Sequence, residues 1–180
     1  GNFELNDGFP NGRKGMKTVV EKAEAQGIMV GAHTLSNFIT TNDAYVTPVP
    51  DDRLAKVGSS QLSSEINMNQ KEIPIESPDF FKQMKNNSLK TVQVGTELIR
   101  YGRVSEEAPW KLLDCQRGAY GTKVASHSNG SEISLLADHG YKVFLTNTQL
   151  GDEMAGNIAD LYNETGLRQN GRDFASSRVI

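Results

Sequence analysis

Apolar residues recur at helical spacing in two places along the chain. In RKGMKTVVEKAEAQG, Met16, Val19, Val20 and Ala23 share one side, while Lys17, Glu21, Lys22 and Glu24 fall largely on others. That pattern predicts an amphipathic helix, and Gly27 is suited to end it because glycine enters the left-handed conformation at no steric cost. In TQLGDEMAGNIADLYNETG, Met154, Ile158, Leu161 and Tyr162 form a second stripe, with Gly166 as its stop. Two short apolar runs accompany these helices: IMVGA after the first and YKVFLTN before the second. Continuous runs of this kind predict strands buried on both faces, as in parallel sheets covered by helices.

The middle of the chain has a different period. LKTVQVGTELIRYGRV alternates apolar and polar residues about VGTE, which predicts a hairpin. WKLLDCQRGAYGTKVASHSNGSEISLL continues with short runs broken by the turn chemistry of RGAYGT and SNGS. About four to six antiparallel strands, in a module of roughly 50 residues, are expected here. Between Asn42 and Pro78 the prolines of VTPVPDDR and EIPIESPDF flank a Ser/Asn/Gln-rich centre, which reads as a long irregular excursion.

The predicted organisation is therefore α/β. Residues 1–88 hold the first βα unit and the long loop, 89–137 an inserted antiparallel β module, and 138–180 a resumed βα unit. The βα repeats suit either an open doubly wound sheet or a closed (β/α)8 barrel. In both, functional groups gather at the C-terminal ends of the strands. This draws attention to GIMVGAHTLSNFITTND, where an apolar run passes into a row of hydrogen-bonding side chains beginning at His33.

Composition removes several function classes. The chain has 180 residues, a formal net charge of −3, and Lys and Arg that form no run, so the basic footprint of a nucleic-acid binder is missing. No apolar segment approaches the roughly 20 residues of a membrane span. The opening GNFELNDGFPNG has neither the basic nor the apolar part of a signal peptide. Cys115 stands alone and reads as a small buried hydrophobe in a strand. His33, His127 and His139 lack ligand spacing, so no metal or organic cofactor is expected. GAYGTK lacks Walker spacing, and its glycines serve turns.

FPNGRKGMKTVVEKAEAQGIMVGAHT resembles a segment of α-galactosidase-like glycoside hydrolases. HTLSNFITTNDAYVTPVPD is similar to an uncharacterised branch of glycosidase-like (β/α)8 proteins associated with polysaccharide breakdown, in which a β module interrupts the barrel before YKVFLTNT. The resemblance covers residues 1 to about 169 and is most specific in HTLSNFITTND and LLDCQRGAYGT. It implies a partial (β/α)8 TIM-barrel-like fold, a carbohydrate substrate, hydrolysis of O-glycosyl bonds if the barrel is whole, and a periplasmic or secreted location. It also implies a catalytic carboxylate at the end of the strand after YNETGLRQ. Asp173 stands at that distance, although NGR replaces the hydrophobic approach and Phe174 the following residue.

Glycoside hydrolysis needs two carboxylates, and neither Asp43, Asp51 nor Asp52 pairs with Asp173 on sequence grounds. His33, Thr34 and Asn37 are candidate sugar-hydroxyl ligands, and Tyr45 a candidate stacking ring. Trp110 reads as the anchor of the β module. A partial barrel also leaves strand edges unpaired, which predicts self-association. The alternative function is a non-catalytic carbohydrate- or protein-binding module built on the β section.

Overall fold

A computed structural model of the chain describes Leu5, residues 7–168 and the backbone of residues 170–172. The chain divides into two compact units, one formed by Gly1–Asn37 with Thr148–Ile180, the other by Phe38–Asn147.

The first unit holds both helices. Helix α1, Gly12–Glu24, ends as its sequence predicts: Gly27 sits at φ +77°, its N–H reaches Glu24 O, and the Ile28 N–H reaches Ala23 O. These bonds satisfy carbonyls that the helix end would otherwise leave unpaired. Helix α2, Thr148–Thr165, buries Leu150, Met154, Ile158, Leu161 and Thr165, and Gly166 follows at φ +78°. Val20, Leu161 and Leu167 form a small core with Met16, Val30 and Tyr162 packed against it. The expected strand IMVGA is absent. Ile28 is 55% and Met29 81% exposed, and strand β1 is only Ala32–Thr34. It pairs in parallel with the backbone of Asn170–Arg172.

The second unit is antiparallel throughout. Its strands are β2 (Phe38–Thr40), β3 (Lys56–Gln61), β4 (Ile73–Pro74), β5 (Thr91–Val94), β6 (Glu97–Arg100), β7 (Arg103–Val104), β8 (Lys111–Leu113), β9 (Glu132–Leu136), β10 (Asp138–His139) and β11 (Val143–Leu145). One sheet runs β3-β9-β5-β6, a second β4-β8-β7, and a third β10-β11-β2. The hairpin about VGTE is β5–β6, with Val94 opposite Glu97 and Gly95 at φ +55° in the turn. Val92, Val94, Ile99, Ile133 and Leu135 from the first sheet meet Ile73 and Leu112 from the second in one core, with Phe81 and Tyr101 added from connecting segments. Trp110 packs on the edge of this core, as an anchor would. Cys115 lies in the core too, but just after β8 rather than in a strand.

The α/β reading is thus corrected. Among the described residues there are two helices and several antiparallel sheets, so the partial (β/α)8 TIM-barrel-like arrangement is not formed. The physical reason is the connections. Neighbouring barrel strands are parallel and joined by helical crossovers, whereas IMVGA forms no strand before Ala32 and β11, within YKVFLTN, pairs antiparallel with β10 and β2. The excursion read as irregular also contributes β3 and β4, which pair with β9 and β8. Self-association was expected from the edges of an incomplete barrel, and that basis falls with the barrel. Among the described residues, no helix is long and apolar enough to cross a membrane.

Candidate functional site

The residues singled out in sequence fall in both units, with His33, Thr34 and Asn37 in the first and Tyr45 in the second. His33 and Thr34 are consecutive on β1, so their side chains leave opposite faces of the strand. His33 is exposed and Thr34 half-buried. Asn37 follows in a turn of the first unit, while Tyr45 belongs to the second, where its N–H is bonded to Asp43 Oδ1 at 3.1 Å. Asp173 lies outside the described residues. Asp51 is held in a bidentate ion pair with Arg53, whose Nη2 is 2.7 Å from Oδ2. That hydrogen bonding keeps the Asp51 carboxyl below the usual carboxylate range despite partial burial. Asp52 accepts from Gln93 Nε2 at 3.0 Å.

The most heavily bonded carboxylate is one that sequence reasoning passed over. Glu97 is fully buried at the start of β6. Arg117 grips both its oxygens at 2.8 Å, the backbone N–H groups of Gly118 and Ala125 donate at 2.9 and 3.1 Å, and His127 Nε2 lies 2.8 Å from Oε2. An ionised carboxylate only accepts, so the proton on His127 sits at Nε2. Burial alone would raise the Glu97 pKa, but the bonds from Arg117, His127, Ala125 and Gly118 outweigh it and hold the group below its ordinary value. Arg117 also bonds Asn67 O, Gln70 O and Ala125 O, so the Asn67–Gln70 segment and the chain at Ala125 are tied at one point. With its oxygens occupied and no exposure, Glu97 is a structural hub. Its signal in sequence was weak, because a Glu directly after a hairpin turn reads as a solvated end.

One concave part of the second unit involves neither Glu97 nor Arg117. A cleft of about 490 Å³ opens between the segment Phe81–Lys90 and the segment Tyr101–Glu106. Its inner wall is Phe81, Asn87 and Tyr101, all nearly buried. Tyr101 Oη donates to Phe81 O at 2.8 Å and accepts from Asn87 Nδ2 at 2.7 Å, and the same Nδ2 donates to Gln83 O at 2.9 Å. This network fixes the amide orientation, since Nδ2 faces a carbonyl. Asn87 Oδ1 is then left buried with no donor among the described residues. Burial pushes the Tyr101 phenol up to about 12, so it remains a protonated donor.

The walls are tied down from behind. Asp138, fully buried on β10, accepts from the Ser88 N–H and Oγ at 2.8 Å and from the Leu89 N–H at 2.7 Å. Opposite, Ser105 Oγ caps the Lys111 N–H at 3.0 Å. A wall held this way has little ordering entropy left to lose when a ligand arrives. The rim carries Gln83, Met84, Ser105 and charged side chains. A separate aromatic group, Phe38 stacked on His139 at 4.8 Å with Tyr141 edge-on, leaves Tyr141 61% exposed.

Among the described residues, no three His, Cys, Asp or Glu side chains form a group that can hold a metal ion. The Cys115 thiol is buried, and burial pushes its pKa up to about 12. We therefore expect a disulfide-exchange reagent at pH 8 to leave native Cys115 unmodified on a timescale where the denatured chain reacts fully. Thiolate content alone lowers the native rate by about 10³-fold relative to an ordinary thiol. Equal rates in the native and denatured chain would refute the buried placement.

No family model, curated protein or solved structure matches the chain. Together with the antiparallel sheets, this overturns the α-galactosidase-like resemblance and removes its support for a hydrolase.

Proposed function

We propose that the second unit is a non-catalytic binding module whose cleft takes a short segment of carbohydrate. The observation that carries this reading is the cleft's chemistry. Met84 and Val104 give apolar surface beside the nearly buried Phe81 and Tyr101, and Gln83, Ser88 and Ser105 supply an amide and hydroxyls. Small-ligand sites have this build, an apolar lining with a few fixed polar groups. The hub at Glu97 stabilises the unit without taking part in binding.

A protein partner is the second reading, favoured by Met84, which is 93% exposed at the cleft, and Phe80, which is 40% exposed beside it. Calorimetric titration of the chain with a panel of neutral and acidic oligosaccharides separates the two. We expect binding to at least one glycan, weakened about fivefold by Gln83→Ala with unchanged melting, as for one lost polar contact. Tyr141→Ala should leave the affinity as it was. Loss of binding in Tyr141→Ala alone would move the site to the aromatic group, and no binding to any glycan would overturn the carbohydrate reading.

A further inference from the structure

Charge is unevenly placed around this cleft. Its lining holds three cations, Lys82, Lys90 and Arg103, against one carboxylate, Glu106, in a chain whose formal net charge is −3. The two lysines are held by uncharged partners. Lys82 Nζ lies 4.3 Å above the Trp110 ring, and Lys90 Nζ donates to Gly102 O at 2.6 Å. Neither has a carboxylate partner among the described residues. Arg103 shares its charge with Asp114, Nε to Oδ2 at 3.1 Å, in a pair where both side chains are about two-thirds exposed.

Such fixing matters. A free lysine loses rotamer entropy when it grips an anion, which is why exposed ion pairs contribute little. Here Trp110 and Gly102 O already restrict the two ammonium groups while leaving their charge uncompensated. The Lys90 backbone is restricted as well. Lys90 sits at φ +48° and follows directly on the segment clamped by Asp138.

Building on the carbohydrate reading above, we propose that the cleft selects an anionic oligosaccharide, its carboxylate or sulfate ester set between Lys82, Lys90 and Arg103. Trp110 then has a second role besides anchoring the core edge, since its ring holds the Lys82 charge at the cleft.

The test is a titration of the chain at low salt with four probes. These are tetragalacturonate, its fully methyl-esterified form, a sulfated tetrasaccharide and a tetraglutamate peptide. At least one acidic glycan is expected to bind about tenfold more tightly than the uncharged ester, with the preference shrinking as salt rises. Lys82→Gln, Lys90→Gln and Arg103→Gln, each exposed and so expected to melt like the parent, should each erode that preference. Which acidic glycan binds better identifies the anion. Equal binding of ester and acid, or a preference untouched by all three substitutions, overturns the anionic selection while leaving the carbohydrate reading standing. Tighter binding of the peptide than of any glycan, or no glycan binding at all, overturns both.

Discussion

Replacing Glu97 with alanine is expected to lower the unfolding free energy by about 3–5 kcal/mol, the range for breaking a buried ion pair from one side. The loss has three parts, all visible in the geometry. Arg117 keeps its charge in a nearly buried position with no carboxylate opposite. The Gly118 and Ala125 N–H groups and His127 Nε2 lose their acceptor. The Asn67–Gln70 segment stays tied only to an arginine that has lost its own support. Glu97→Gln does not rescue the site, because its amide NH2 group turns a donor toward donors. For a domain with the usual 5–15 kcal/mol of stability, either variant removes a large share. The control is the Lys111–Glu72 pair, where both side chains are well exposed. Glu72→Gln should cost no more than about 1 kcal/mol. Urea titration of the three variants decides the matter, and a loss below about 1 kcal/mol in Glu97→Ala would mean the hub is not what holds these loops.

The same site carries a pH signature. The Glu97 pKa is lower in the folded chain than in the unfolded one. The unfolded chain therefore takes up the proton first as pH falls. Stability from Glu97 is fully present above the unfolded glutamate value of about 4.3 and is lost as pH drops through the folded value. The stability gap between the parent chain and Glu97→Ala should narrow as pH falls below the unfolded glutamate value of about 4.3.

Local signals in the chain were read well where local physics decides. Helix α1 with its Gly27 stop, α2 with its apolar stripe and Gly166, and the β5–β6 turn at Gly95 each follow from spacing and glycine geometry. What failed was inference from a short run to its surroundings. IMVGA looks buried, yet Ile28 and Met29 face solvent, because apolar composition says nothing about what covers it. KVGSSQ looks like loop, yet it is β3, held by backbone pairing to β9 that needs no apolar side chain. The candidate cleft was illegible for a related reason. QMKNNSLK reads as a polar connection, and only the fold brings Asp138, some fifty residues on, behind Ser88 and Leu89. Choosing His33, Thr34 and Asn37 leaned on a barrel rim, and without a barrel that argument for them is gone.

Gly118 marks the second large effect, and it tests the hub from its backbone. The residue adopts φ +59° and ψ +37°, the left-handed region, and its N–H is one of the Glu97 donors. A Cβ at this position would stand 2.7 Å from Val124 Cγ2 and 2.8 Å from the Thr122 carbonyl oxygen. The second contact is with backbone, and Thr122 is itself pinned, its Oγ1 donating to Ala119 O and accepting the Leu98 N–H. Nothing there gives way cheaply. Left-handed strain on an L residue costs about 1–2 kcal/mol, and for Gly118→Val the overlap and a displaced Glu97 donor bring the expected loss to about 3 kcal/mol or more. Gly95 separates the two contributions. It has a similar φ of +55°, but an added Cβ meets nothing within 4 Å. Gly95→Ala should therefore show the conformational cost alone, about 1 kcal/mol. If the two variants melt alike, the crowding at Gly118 is relieved by movement of the Thr122–Val124 segment, and the hub is softer than its hydrogen bonds imply.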